Sequence, residues 1–296
     1  MKYIDIHAHL NFKAFDADRD EVIKQTLAND IWMINVGTQI DTSKKAVEIA
    51  HQYSEGVYAI VGLHPILTSA SYHDEQELGV GGKDFTSRGE VFDREEYLKL
   101  AKDEKVVAIG ECGLDYYRMD EGSIEKQKEA FIKQIQIANE VGKPLMLHIR
   151  NNNEKVHPAF GTPQEGNLNA YQDVLEILKK YSKVKGNVHF FAGSKENAKE
   201  FLEFGFTLSF TGVITFPLKA GQPETLKLFE IIRDTPLDMI MSETDSPYVA
   251  PVPYRGKRNQ PLYVSEVVKK IAEIKNLKEE EVAEIIMQNA KRVFGI

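Results

Sequence analysis

Tyr3-Ile-Asp-Ile-His-Ala-His9 decides the fold when it is set against Asp238-Met-Ile-Met-Ser-Glu-Thr-Asp245 near the other end of the chain. Each is a short, β-prone apolar run that carries residues able to hold a metal. Side chains two apart on a strand share a face. Asp5, His7 and His9 therefore point one way, Ile6 and Ala8 the other. Six more strand candidates lie between these runs, giving eight at roughly 3–9, 31–37, 57–63, 106–111, 144–149, 186–191, 206–212 and 238–244. Helical patterns at 19–27, 43–50, 125–141, 174–178, 195–204, 224–232 and 265–274 alternate with them, and 278–296 reads as a closing helix. Thr42 or Ser43 is a suitable N-cap for the second, and Gly142 stops the third. Strands alternating with helices over 296 residues predict one (β/α)₈ barrel spanning 1–296, a TIM barrel of the metallo-hydrolase kind. An open doubly wound sheet has the same alternation, but only closure brings residues 7 and 245 to one point. Two polar stretches, 69–93 and 151–169, read as loop insertions at the mouth of the barrel.

The bulk composition narrows the class. Hydrophobic residues make up 42% and charged residues 28%, as in ordinary globular proteins. The apolar runs are strand-sized, far below the roughly 20 residues that span a bilayer, so no membrane association is expected. A strand beginning at residue 3 leaves no room for a cleavable signal. The lone Cys112 forbids an internal disulfide and favours a reducing cytoplasm. The net charge of −8 gives no broad surface for nucleic acid, so a polyanionic substrate would have to be held by local cations and metal. No oligomeric state follows from these numbers.

Five of the eight histidines, His7, His9, His64, His148 and His189, fall at predicted strand ends. With Glu111 after Val106-Val-Ala-Ile-Gly110, and with Asp245, six residues form a candidate metal set: His7, His9, Glu111, His148, His189 and Asp245. Glu111 has two oxygens and can bridge two cations. Asp245 beside a metal can bind it and take a proton from the attacking water. Glu243 shares its face, and Asp115 and Tyr116 are placed to orient ligands or meet substrate. Arg150, two after His148, is placed to meet an anion. Arg255, Lys257 and Arg258 form a dense basic cluster on a proline-stiffened loop suited to phosphate. His51, His73 and His157 fall on helices or loops.

Taken together, Asp5-Ile-His-Ala-His9, Gly62-Leu-His-Pro65, Gly110-Glu-Cys-Gly-Leu-Asp-Tyr116, His148-Ile-Arg150, His189-Phe-Phe-Ala-Gly193, Glu243-Thr-Asp-Ser-Pro247 and Arg255-Gly-Lys-Arg-Asn-Gln-Pro261 resemble the TatD-related deoxyribonucleases, in order and over nearly the whole chain. The resemblance implies a (β/α)₈ barrel holding one or two divalent ions. His7, His9, Glu111 and Asp245 would hold one, and Glu111, His148 and His189 the other, with Glu111 as the bridge. His64 would contact the scissile phosphate. It also implies metal-dependent DNA hydrolysis, from the 3′ end in the 5′ direction, with single-stranded DNA ends as the partner.

The reaction expected is phosphodiester hydrolysis by a metal-activated hydroxide, with Asp245 and Glu111 as the catalytic carboxylates and Arg255 and Lys257 stabilising phosphate charge. Phe190 and the Tyr116 neighbourhood are candidates for stacking the terminal base. The histidine-rich set suits zinc, manganese, iron or nickel better than magnesium. Two other readings use the same residues: an amide or ester hydrolase such as a lactonase or aminoacyl-tRNA deacylase, and a non-catalytic binding protein.

Overall fold

In a computed structural model, residues 2–73, 75–79, 85–117, 122–152, 169–217 and 223–296 are described. The strands are β1 (Tyr3–Ala8), β2 (Ile31–Val36), β3 (Val57–Val61), β4 (Ser71–His73), β5 (Phe85–Ser87), β6 (Val106–Asp115), β7 (Leu145–Arg150), β8 (Gly186–Val188), β9 (Thr207–Phe210) and β10 (Ile240–Ser242). Eight of them pair in parallel in the order β1-β2-β3-β6-β7-β8-β9-β10, and β4 and β5 form a separate antiparallel pair. The helices are α1 (Arg19–Ala28), α2 (Ile40–Ala50), α3 (Glu75–Leu78), α4 (Arg94–Ala101), α5 (Ser123–Val141), α6 (Ala170–Tyr181), α7 (Lys195–Glu203), α8 (Pro223–Asp234), α9 (Val264–Lys275) and α10 (Glu279–Phe294). No helix among the described residues is long and apolar enough to cross a membrane.

The strands are apolar on both faces because helices cover one side and the barrel interior the other. All six residues of β2 and all ten of β6 are buried. The ring is nearly closed by a seam between its first and last strands. Ser242 Oγ donates to Ile4 O at 3.0 Å, Asp245 N to His7 O at 2.9 Å and His9 N to Ser246 O at 2.8 Å. The buried Asp5 carboxylate reinforces the seam, accepting from Thr244 N, Thr244 Oγ1 and His7 N. Burial pushes the Asp5 carboxyl up to about 8 despite these donors. The first motif of the sequence thus meets the last at the C-terminal ends of the strands, as the barrel reading requires.

Several boundaries differ from the expected ones. β8 and β10 stop before His189 and Asp245, because Phe190 (φ 45°) and Asp245 (φ 55°) turn left-handed and lead the chain out of the barrel. β6 runs on to Asp115, and α2 starts at Ile40 because Thr42 Oγ1 accepts from Gln39 N at 2.9 Å, capping the helix earlier than expected. The predicted loop 69–93 carries the β4–β5 pair and α3. Most of 151–169, including His157, lies outside the described residues.

Two buried amides of α5 fix the strand ends that matter most. Gln134 accepts from Leu63 N at 2.8 Å and donates to Leu63 O at 3.0 Å, beside His64. Gln127 does the same for the backbone of Asp115, at 2.9 and 3.0 Å. Seven residues apart, they share the inward face of the helix with Phe131 and Ile135. Gly113, at φ 137°, lets β6 pass close to β7, since a Cβ there would sit 2.1 Å from His148 O.

Candidate metal centre

A cavity of about 520 Å³ opens at the C-terminal end of the barrel, lined by His9, His64, Glu111, His148, His189 and Asp245 together with Arg150 and the aromatic rings of Phe12, Tyr72, Phe190 and Tyr248. His7, fully buried, lies beneath it.

On one side of Glu111, four ligand atoms converge. His7 Nε2 is 3.2 Å from His9 Nε2, 3.3 Å from Glu111 Oε2 and 3.9 Å from Asp245 Oδ1. His9 Nε2 is 3.4 Å from Asp245 Oδ1 and 3.9 Å from Glu111 Oε2. A tetrahedron of ligands about 2.1 Å from a central ion has edges of about 3.4 Å. The observed separations bracket that value. His9 Nδ1 faces Val36 O at 2.9 Å and serves as its donor, which leaves the Nε2 lone pair aimed at the cluster. His7 Nδ1 is buried with no hydrogen-bond partner among the described residues. Two imidazole nitrogens and two carboxylate oxygens sharing one small space fit a divalent cation.

On the other side, Glu111 Oε1 lies 2.9 Å from His148 Nδ1 and 3.4 Å from both His189 Nε2 and His64 Nε2. Each ring is oriented from behind. His148 Nε2 meets Asp115 Oδ2 at 2.9 Å. His189 Nδ1 lies 3.1 Å from Glu243 Oε1, close enough for an ion pair but out of line for a hydrogen bond. Glu243 is itself held by Phe190 N at 2.6 Å and Ser209 Oγ at 2.7 Å, and Ser209 by Asn187 Nδ2 at 2.7 Å. His64 differs. Its Nδ1 accepts from Ile66 N at 3.2 Å, so in the neutral ring Nε2 carries the proton and donates toward Glu111.

The charges follow this arrangement. Burial would raise the Glu111 carboxyl, but His64, His7, His189 and His148 hold it well below the usual carboxylate range. Burial opposes protonation of His148 as well, yet Asp115 and Glu111 bring it up to about 10. Against burial, Glu243 and Glu111 bring His189 to about 9. Burial and the neighbouring His189 carry His7 down to about 3.

The remaining candidates are placed unevenly. Arg150 is exposed at the cavity mouth, its guanidinium 3.8 Å above the Tyr117 ring. Arg255 and Lys257 do not line the cavity. Arg258 is turned away, paired with Asp18 Oδ2 at 2.5 Å and laid over Phe15. Tyr116 is fully buried with its hydroxyl on Asp173 Oδ2 at 2.6 Å, so it cannot stack on a base. It lies one residue beyond Asp115, and alternation turns it to the helix layer. Phe12, Tyr72 and Tyr248 were not singled out from the sequence. Phe12 had a signal, since it lies three residues past His9, whose ring it stacks against at 4.4 Å.

Comparison with known proteins places the chain in a family. The profile of the family described as TatD related DNase matches residues 4–295. The chain is 37% identical to the uncharacterized metal-dependent hydrolase YabD of Bacillus subtilis, over 99% of this chain and 98% of that one. It is 32% identical to the uncharacterized metal-dependent hydrolase YcfH of Escherichia coli K12, over 100% and 97%. Among solved structures, YJJV, a TatD homolog from Escherichia coli K12, superimposes with a TM-score of 0.76 at 24% identity, covering 99% of this chain and 98% of that one, which bears on the fold. From the first strand to the last helix, then, this chain belongs to the TatD-related DNase family, and it is a metal-dependent hydrolase.

Proposed function

We propose that the protein hydrolyses phosphodiester bonds of DNA, taking single-stranded 3′ ends and working toward the 5′ end, with two divalent ions bridged by Glu111. The observation that carries this reading is the division of labour within one carboxylate: Oε2 faces His7 and His9, while Oε1 faces His148 and His189. Divalent ions bound there would supply a water of lowered pKa and neutralise charge on the phosphate. His7, His9, Glu111 and Asp245 would hold the first, and Glu111, His148 and His189 the second. The imidazole-rich shell favours zinc, manganese, iron or nickel over magnesium.

The chain's own groups complete the chemistry. Asp245 retains partial access to the cavity and is placed to take the proton of the attacking water. His64, with its Nε2 proton facing inward, is placed to donate to a non-bridging phosphate oxygen rather than to ligate. Arg150 offers a guanidinium at the mouth. Phe190 and Tyr248 supply ring faces for the terminal base.

The test is metal-stripped protein re-supplied with magnesium, manganese or zinc and given single-stranded DNA labelled at its 5′ end. A ladder shortening from the 3′ end, lost in Glu111→Ala and Asp245→Asn, is the expected result. Turnover of p-nitrophenyl esters with intact DNA would overturn the reading in favour of attack at carbon.

A further inference from the structure

Resting on that phosphodiesterase reading, we propose that Arg255 and Lys257, held on the rings of Phe216 and Tyr254, form a second contact surface for single-stranded nucleic acid. It lies outside the metal cavity and holds the strand upstream of the linkage being cut.

The turns that follow β9 and β10 leave the barrel at the cavity end and are joined there. Val252 N donates to Thr215 Oγ1 at 2.9 Å. Gly212 packs so closely that a Cβ would lie 2.4 Å from Val249 O. Phe216 and Arg255 therefore belong to one braced ledge, with the Arg255 guanidinium 4.1 Å over the Phe216 ring. Lys257 Nζ stands 6.0 Å from the centre of the Tyr254 ring, and Tyr254 stacks on Tyr263 at 3.7 Å and 4°.

The cations of this loop differ in their partners. Arg258, in the same loop, is neutralised by Asp18. Arg255 and Lys257 are exposed and make no ion pair with a described residue. A guanidinium set over a ring face keeps N–H groups available for a phosphate. In a chain of net charge −8, a polyanion needs such unneutralised cations to stay bound. Because they lie outside the cavity, these two would meet phosphates beyond the one being cut.

Manganese-loaded wild type and the double variant Arg255→Ala/Lys257→Ala are compared on a dinucleotide and on single-stranded DNA of about 12 nucleotides, within the roughly 4–16 that a single-strand groove covers. The wild type is expected to favour the longer strand. In the double variant, KM for that strand rises about tenfold and the salt dependence of log KM flattens by about 1.4, two contacts at about 0.7 each. Arg255→Lys/Lys257→Arg, which keeps both charges, should retain the salt slope. An unchanged length preference and slope in the double variant would overturn the ledge while leaving the nuclease reading intact. So would an equal loss on both substrates. Wild-type protein that turns over bis-p-nitrophenyl phosphate but neither oligonucleotide would overturn the nuclease reading instead.

Discussion

On one side of Glu111, His7 and His9 come from the end of a single strand and the residue just past it, and Asp245 reaches them through the backbone seam that closes the barrel. On the other, His64, His148 and His189 come from three separate strand ends, and each ring takes its orientation from a further group. The first side relies on strand periodicity, with a backbone carbonyl behind His9 and, among the described residues, no hydrogen-bond partner for His7 Nδ1. The second relies on buried carboxylates, Asp115 and Glu243. It follows that the first side is built mainly by the backbone and the second mainly by side chains. The second should therefore be the more sensitive to substitution and to pH.

The largest effect removes what the two sides share. Glu111→Ala should abolish hydrolysis, a loss of more than about 10⁴-fold, because charge stabilisation worth several kcal/mol is lost with each ion. The barrel should survive, since Asp115 and Glu243 still partner His148 and His189 once the carboxylate is gone. Metal content by mass spectrometry and unfolding by circular dichroism check both halves. An active variant, or one that keeps two tightly held ions, would remove the bridge from the scheme.

The sides should also differ in their response to pH. In the metal-free protein His148 (about 10) and His189 (about 9) carry protons at neutral pH, whereas His7 (about 3) does not. A metal takes only the neutral ring, so filling the second side expels up to two protons. Its affinity should rise with pH by up to about a hundredfold per unit below pH 9, steeper than on the first side, where, against burial, Asp245 and Glu111 raise His9 alone. Calorimetric titrations in buffers of different ionisation enthalpy count the protons, and equal release at both sides would break the comparison. For folding of the metal-free chain the sign is reversed. Raised values contribute stability that is full below about 6.5 and is lost as pH climbs through about 9 to 10.

Much of the first side was legible because it is local. Period-two alternation alone puts Asp5, His7 and His9 on one face, and the need to bring Asp245 to them selects closure over an open sheet. The second side was legible as a set of strand-end ligands but not as an assembly. Nothing in the spacing of His64 tells that Ile66 N occupies its Nδ1, or that Gln134 grips the adjoining residue. Buried glutamines on a helix read as ordinary polar positions until the strands they reach are known. Arg255, Lys257 and Arg258 look alike in sequence. Only the fold brings Asp18, from 240 residues away, to neutralise one and leave the others exposed.

The carboxylates behind the rings give the next effect in size. Asp115→Asn and Glu243→Gln should each weaken metal binding on the second side by about 10- to 100-fold while the His7–His9 side still fills. Asp115→Asn also removes the anion that fixes the His148 proton on Nε2, so its second-side affinity should depend less on pH. Competition with a chelator of known affinity, followed ion by ion, separates the two sides. A uniform loss at both would mean that the sides are not independently built.

The smallest effect lies one layer deeper. Ser209 Oγ donates to Glu243 Oε2 at 2.7 Å and receives Asn187 Nδ2 at 2.7 Å, in a run of buried polar groups that continues to Thr207. Ser209→Ala removes one of two donors to a carboxylate that still holds Phe190 N. A neutral donor to a buried charge is worth on the order of 1.5 kcal/mol, part of which Glu243 recovers by relaxing. The expected result is a several-fold loss of second-side affinity and a fall of a few degrees in Tm, with the first side unchanged. Ser209→Thr, which keeps the hydroxyl, should restore affinity even if crowding costs stability. If it restores neither, Ser209 acts by packing, and the support of His189 ends at Glu243.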